Sequence, residues 1–95
     1  MNIHQDNTIE MLSTFPDNFQ LDNQTRALHL MEEAIELVGT ISRKEKKIPG
    51  ELQEGELEEA FGGVLFDLFV LASQNNIDLD KVYPEELKKF KKYSK

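Results

Sequence analysis

Between Ala27 and Ile41 the apolar positions recur at helical spacing. Ala27, Leu28, Leu30, Met31, Ala34, Ile35, Leu37, Val38 and Ile41 fill one half of a helical wheel, and Arg26, His29, Glu32, Glu33, Glu36 and Thr40 fill the other. This predicts a long helix with Asp22 or Asn23 as its N-cap. An apolar arc of roughly 180° is wider than the stripe of an ordinary surface helix, so more than one packing neighbour is expected. Arg43, Lys44, Lys46 and Lys47 then set cations at the negative end of the helix dipole, and Ile48-Pro49-Gly50 ends the element.

After a connector over 51–55 the helical pattern resumes at Glu56. Leu57, Phe61, Val64, Leu65, Leu68, Leu71 and Ala72 share a broad face, and Phe66, Phe69 and Val70 carry apolar surface nearly all round. The run is too long and too irregular for one strand, so it reads as a second long helix and as the most buried element. Gly62-Gly63 costs it roughly 1 kcal/mol per glycine relative to alanine, which predicts compensation by close packing of a neighbouring helix. Asn75-Asn76 suits a helix C-terminus with one residue in the left-handed conformation. Asp78 is a cap for a shorter segment over 77–82, and Pro84-Glu85-Glu86 reads as a fresh helix start. Before the long helices, Ile9, Met11 and Leu12 predict a short helix capped by Asn7 or Thr8, and Phe15-Pro16-Asp17-Asn18 predicts a turn.

Composition narrows the class. A chain of 95 residues makes one small domain, and a chain this short buries a limited fraction of its surface. It has no cysteine, so neither disulfides nor thiolate metal sites support it, and oligomerisation is the remaining source of stability. The net charge of −7 argues against nucleic acid as the main partner. An acidic protein that handles anions needs cations as intermediaries. No basic-then-apolar leader and no run of membrane-spanning length occurs, so a soluble, cytoplasmic protein is expected, with no membrane partner. Two histidines are too few for a His-based metal site, and five lysines in the last eight residues make a basic C-terminal segment.

The candidate chemistry lies on the polar half of the first long helix. Glu33 and Glu36, three residues apart, project to one side and can present hard oxygen ligands to a divalent ion. Glu32 precedes them, and His29 lies one turn before Glu33 on the same face. On spacing alone, a solvated helix face explains these glutamates as well as a site does. Asp67 stands out because it is a charge among Leu65, Phe66, Leu68, Phe69 and Val70. It needs a partner, either a metal ion or a structural pairing with Arg26, a lysine, His29 or a backbone cap.

The order of these features is Glu-Glu-x-x-Glu on one helix, a basic hinge, an acidic entry to a second apolar helix, then Ile77-Asp78-Leu79. Over roughly residues 19–83 it resembles the MazG-like all-α nucleoside triphosphate pyrophosphohydrolases. The resemblance implies Glu-x-x-Glu and Glu-x-x-Asp on two helices, four carboxylates holding Mg²⁺ (or Mn²⁺), and hydrolysis of a nucleoside triphosphate to a monophosphate and pyrophosphate. Glu33 and Glu36 match the first pair, with Glu32 as the supporting acid. Counting back from Ile77-Asp78, the second pair falls on Ala60 and Gly63. The remaining acids of that stripe, Glu56 and Asp67, are eleven residues apart. That is about 16 Å along the axis, too far to share one ion or one ion pair spaced about 4 Å. Two arrangements restore a site: Asp67 joining Glu33 and Glu36 after a one-turn offset of the helices, or Glu59 or Glu56 reaching in.

These readings combine into an all-α fold of two long antiparallel helices with short flanking ones. The expected organisation is one MazG-like domain over 1–95, with an N-terminal arm or short helix over 1–18 and a basic helix or tail over 84–95. A second chain is expected to complete a four-helix-bundle core, as a homodimer or homotetramer. The expected function is that of a nucleotide pyrophosphohydrolase with an incomplete metal site and weak activity. The alternative is an inactive family member acting as a nucleotide-binding or protein-interaction module.

Overall fold

The longest helix opens where a side chain satisfies one of its free N–H groups. Asp22 accepts from the Thr25 N–H at 2.7 Å and starts α2 (Asn23–Lys44). The structure is a computed structural model that describes residues 3–95, and it contains no strand among them. The other helices are α1 (Ile3–Leu12), α3 (Glu56–Gln74) and α4 (Leu79–Phe90), with short 3₁₀ turns at Asp17–Phe19 and Lys91–Tyr93. No helix among the described residues is long and apolar enough to cross a membrane.

The helix ends follow backbone chemistry. Asn76 takes φ 57°, and the Ile77 N–H donates to the Ala72 carbonyl at 2.8 Å, which closes α3 with a left-handed residue as its sequence predicts. Lys46 takes the same role after α2 at φ 58°, with the Lys47 N–H donating to the Ser42 carbonyl. Two starts differ from expectation. α1 begins by Ile3 rather than after Asn7 or Thr8. α4 begins at Leu79 under the Asp78 cap and runs through Pro84 instead of starting there.

The chain divides into two compact units. One comprises the residues up to Gln20 together with Phe69–Lys95. Gln5 is fully buried in it. Its amide donates to the Ile77 carbonyl at 2.7 Å and to Ser73 Oγ at 3.3 Å, and its oxygen accepts from the Leu79 N–H at 2.9 Å. This glutamine ties α1 to the α3–α4 turn. His4 stacks on Phe69 with ring centroids 5.9 Å apart.

The second unit, Leu21–Leu68, is the antiparallel pair of α2 and the first part of α3. Arg26, near the start of α2, meets Asp67, and Arg43, near its end, meets Glu56 at the start of α3. The face that α2 turns inward is mixed, with Arg26, Leu30, Glu33, Leu37 and Thr40 following one another three and four residues apart. Arg26 and Thr40 are buried, whereas Leu28, Met31, Ile35 and Val38 are exposed, the last two by 62% and 63%. On α3, Phe61, Leu65 and Leu68 are exposed as well, so this helix is less buried than its composition indicates. The two glycines divide: Gly63 has the close approach of a neighbouring helix that is expected of the pair, and Gly62 does not. No atom lies within 4 Å of a Cβ built on Gly62, and one built on Gly63 meets the Glu33 side chain rather than a neighbouring backbone.

Candidate functional site

The α2–α3 groove is built from charges. Asp67 is 1% exposed. Its Oδ1 accepts from Arg26 Nη1 at 2.9 Å, and its Oδ2 lies 2.5 Å from His29 Nδ1. Arg26 holds one oxygen of Asp67 and His29 Nδ1 faces the other, so Nε2 is the ring nitrogen turned away from Asp67. One turn further along α2, Glu33 Oε1 is 3.9 Å from that Nε2. The other Glu33 oxygen occupies the space that a Cβ on Gly63 would fill.

Beyond Glu33 the groove opens into a cleft of about 530 Å³ lined by Glu33, Glu36, Gly39, Thr40, Arg43, Glu56, Glu59 and Ala60. That volume falls in the range of small-molecule sites. Four glutamates against one arginine leave it strongly anionic, so a phosphate compound needs a cation to enter. Burial first, and then the charge of Glu36, pushes the Glu33 carboxyl above its ordinary value. His29 opposes this, while Asp67 and Glu32 add to it. The Glu33 anion is therefore under-compensated and gains from a cation.

Arg43 closes the far end. It donates to both carboxylate oxygens of Glu56 and to the Glu51 carbonyl, tying the connector to both helices. This pair, with the Gln53 N–H, lowers the Glu56 pKa to about 2 from an ordinary 4.5. A group with a depressed pKa contributes stability above its unfolded value and loses it as pH falls toward the folded one. The stability gap between the protein and its Glu56→Gln variant is therefore full at pH 6, narrows below pH 4.5 and closes near pH 2. Urea midpoints across that range measure it, and a gap of constant size would contradict the pairing.

Among the residues singled out from sequence, Glu33 and Glu36 share the cleft. Glu32 is exposed and acts on Glu33 through its charge. Asp67 lies close to Glu33, yet both of its oxygens are engaged by Arg26 and His29. Ala60 lines the cleft wall with Glu36, and Gly63 faces Glu33, so α3 offers no oxygen at the two positions opposite the glutamate pair. Glu59 lines the cleft from just beside that stripe. The Asp67–His29 link carries no local signal, since it joins residues far apart in the chain.

A family model for the MazG nucleotide pyrophosphohydrolase domain matches residues 21–95. The chain belongs to the MazG family. Comparison with curated proteins and with solved structures gives no match. MazG proteins generally depend on a metal ion. In the MazG domain here two glutamates from each helix line the cleft, but not all four are free for Mg²⁺, which prefers oxygen ligands. Of the α3 acids in the cleft, Glu56 is held by Arg43, which leaves Glu59 alone beside Glu33 and Glu36.

Proposed function

We propose that this chain is a MazG-type nucleotide pyrophosphohydrolase homologue with an incomplete metal site and weak turnover of nucleoside triphosphates. The observation that carries this reading is the cleft itself. Glu33 and Glu36 stand together on α2, and Ala60 occupies the opposite wall. A hollow of about 520 Å³ lined by Arg43, Lys46 and Lys47 adjoins it through the shared Arg43, offering cations to phosphate groups beside the acidic cleft. The test is pyrophosphate release from a panel of NTPs and dNTPs with Mg²⁺ or Mn²⁺. Release is expected above blank, and Glu33→Gln and Glu36→Gln each remove it. Release that persists in both variants would sink the reading. The engagement of Asp67 and Glu56 by other side chains favours a second reading, a nucleotide-binding or interaction module without catalysis. No release and no metal-dependent rise in melting temperature would support that one.

The exposed apolar stripes support assembly into a homodimer or homotetramer. Leu28, Met31, Ile35 and Val38 alternate three and four apart, the spacing of a helix–helix seam, and Phe61, Leu65 and Leu68 continue it on α3. Only Leu12, Val70 and Ala72 are buried apolar residues among those described, too small a core for a chain of this length to stand on alone. Light scattering at micromolar concentration is expected to give at least twice the chain mass of 11.0 kDa. The Ile35→Glu/Val38→Glu double variant halves that mass or more. A monomeric wild-type protein would refute the assembly.

A further inference from the structure

The misfit of the cleft to Mg²⁺ has a counterpart one turn away. His29, Glu33 and Asp67 each offer one ligand atom, and the three atoms lie within 4.8 Å of one another. We propose that His29 Nε2 and the Glu33 carboxylate are the protein ligands of a transition-metal site, with Asp67 holding the imidazole from behind, so that the site takes Zn²⁺ or Co²⁺ in preference to Mg²⁺.

The argument starts from what buried Asp67 does. A histidine that binds a metal through one nitrogen almost always donates from the other to a carboxylate or carbonyl, which fixes its tautomer and ring orientation. Here that outer partner is fully built. Asp67 is 1% exposed, is itself gripped by Arg26, and meets Nδ1 at 2.5 Å. Nε2 is thereby directed along α2 toward Glu33, at 3.9 Å. Two ligands each about 2.0–2.2 Å from an ion lie at most about 4.4 Å apart, so an ion fits between these two atoms with their present separation. His29 is 43% exposed and Glu33 21% exposed at the side chain, so an aqueous ion reaches both. Gly63 contributes room, since a side chain there would compete with the Glu33 carboxylate for its position. An imidazole nitrogen shifts selectivity from Mg²⁺ toward Zn²⁺ and its neighbours, because Mg²⁺ prefers oxygen donors and retained waters. Water or ligand phosphate oxygens fill the remaining coordination positions.

This inference rests on reading the cleft as a metal and phosphate site, and its test uses no nucleotide. The full chain is titrated with Zn²⁺ and, separately, with Mg²⁺ in a calorimeter. The His29 ring is followed by long-range ¹H–¹⁵N spectroscopy during the zinc titration. Zn²⁺ is expected to bind at least about 10-fold more tightly than Mg²⁺, with the Nε2 resonance of His29 shifting and Nδ1 retaining its proton. His29→Gln weakens Zn²⁺ binding at least about 10-fold and leaves Mg²⁺ binding unchanged, while His4→Gln changes neither. Equal affinities for the two ions, or an unshifted Nε2 at saturating zinc in the unmodified protein, would overturn the proposal without depending on any variant folding. Zinc binding through His29 without pyrophosphate release would leave the site standing and remove the weak-turnover reading. Glutamate-dependent release with zinc binding indifferent to His29 would do the reverse.

Discussion

Arg26→Ala is expected to destabilise the protein by about 3–5 kcal/mol, the usual cost of leaving one member of a buried ion pair without its partner. Arg26 and Asp67 are 5% and 1% exposed at the side chain, so water cannot take over the role of the guanidinium. His29 alone is left to face the carboxylate. A chain of this size has a total stability of about 5–14 kcal/mol, so the loss is a large part of the whole. Urea unfolding monitored by circular dichroism measures it. The companion variant decides the cause. Arg26→Met/Asp67→Leu replaces the pair by apolar groups of similar volume, and such replacements are often neutral or stabilising by about 1–4 kcal/mol. The double variant should therefore recover most of what Arg26→Ala loses. A loss under 1 kcal/mol in the single variant would show that the pair is solvated. Failure of the double variant to recover would place the cost in packing rather than in stranded charge.

The same pair shows where sequence reasoning reaches its limit. Local chemistry is readable: the Asp22 cap, the left-handed Asn76 and the Asp78 cap all follow from side chains acting within a few residues. The helical wheel identifies which half of α2 is apolar. It does not identify which half meets α3, because that is decided by contacts across the chain. Arg26 with Asp67, His29 with Asp67, and Arg43 with Glu56 bring these polar side chains of α2 onto α3. Leu28, Met31, Ile35 and Val38 are left on the outside of the pair. Asp67 was legible as a charge in need of a partner, and Arg26 and His29 stood among the options for it. Its two simultaneous engagements were not legible. Gln5 gave no signal at all, since an amide buried against a helix turn has no periodicity. Glu59 sits one residue from the stripe that resemblance singles out, and its length brings it into the cleft.

Restoring the second acidic pair is the change with the largest expected effect on activity. Ala60→Glu/Gly63→Asp should raise Mg²⁺-dependent pyrophosphate release by more than the roughly 10- to 100-fold that residues merely supporting a metal ligand are worth. Both positions already face the right partners. Ala60 shares the cleft with Glu36, and Gly63 lies under Glu33. The obstacle at position 63 is the end of the Glu33 side chain, which is flexible, so the new side chain displaces it by a rotamer change without moving the helices. Helix propensity does not oppose the change, because aspartate is a better helix residue than glycine. The like charges it brings beside Glu33 do oppose it. That repulsion makes the double variant less stable than the parent without metal and more responsive to it. Mg²⁺ at 100 times its dissociation constant adds about 2.7 kcal/mol to the folded state. The melting temperature of the double variant therefore rises with Mg²⁺, while that of Ala60→Gln/Gly63→Asn, with similar shape and no charge, stays flat. The two readouts separate the causes. A variant that gains Mg²⁺ binding and turnover together shows that the missing carboxylates alone limit catalysis. A variant that binds Mg²⁺ and releases no more pyrophosphate than its parent would show that the cleft fails at a later step, in placing the nucleotide's phosphates against the ion.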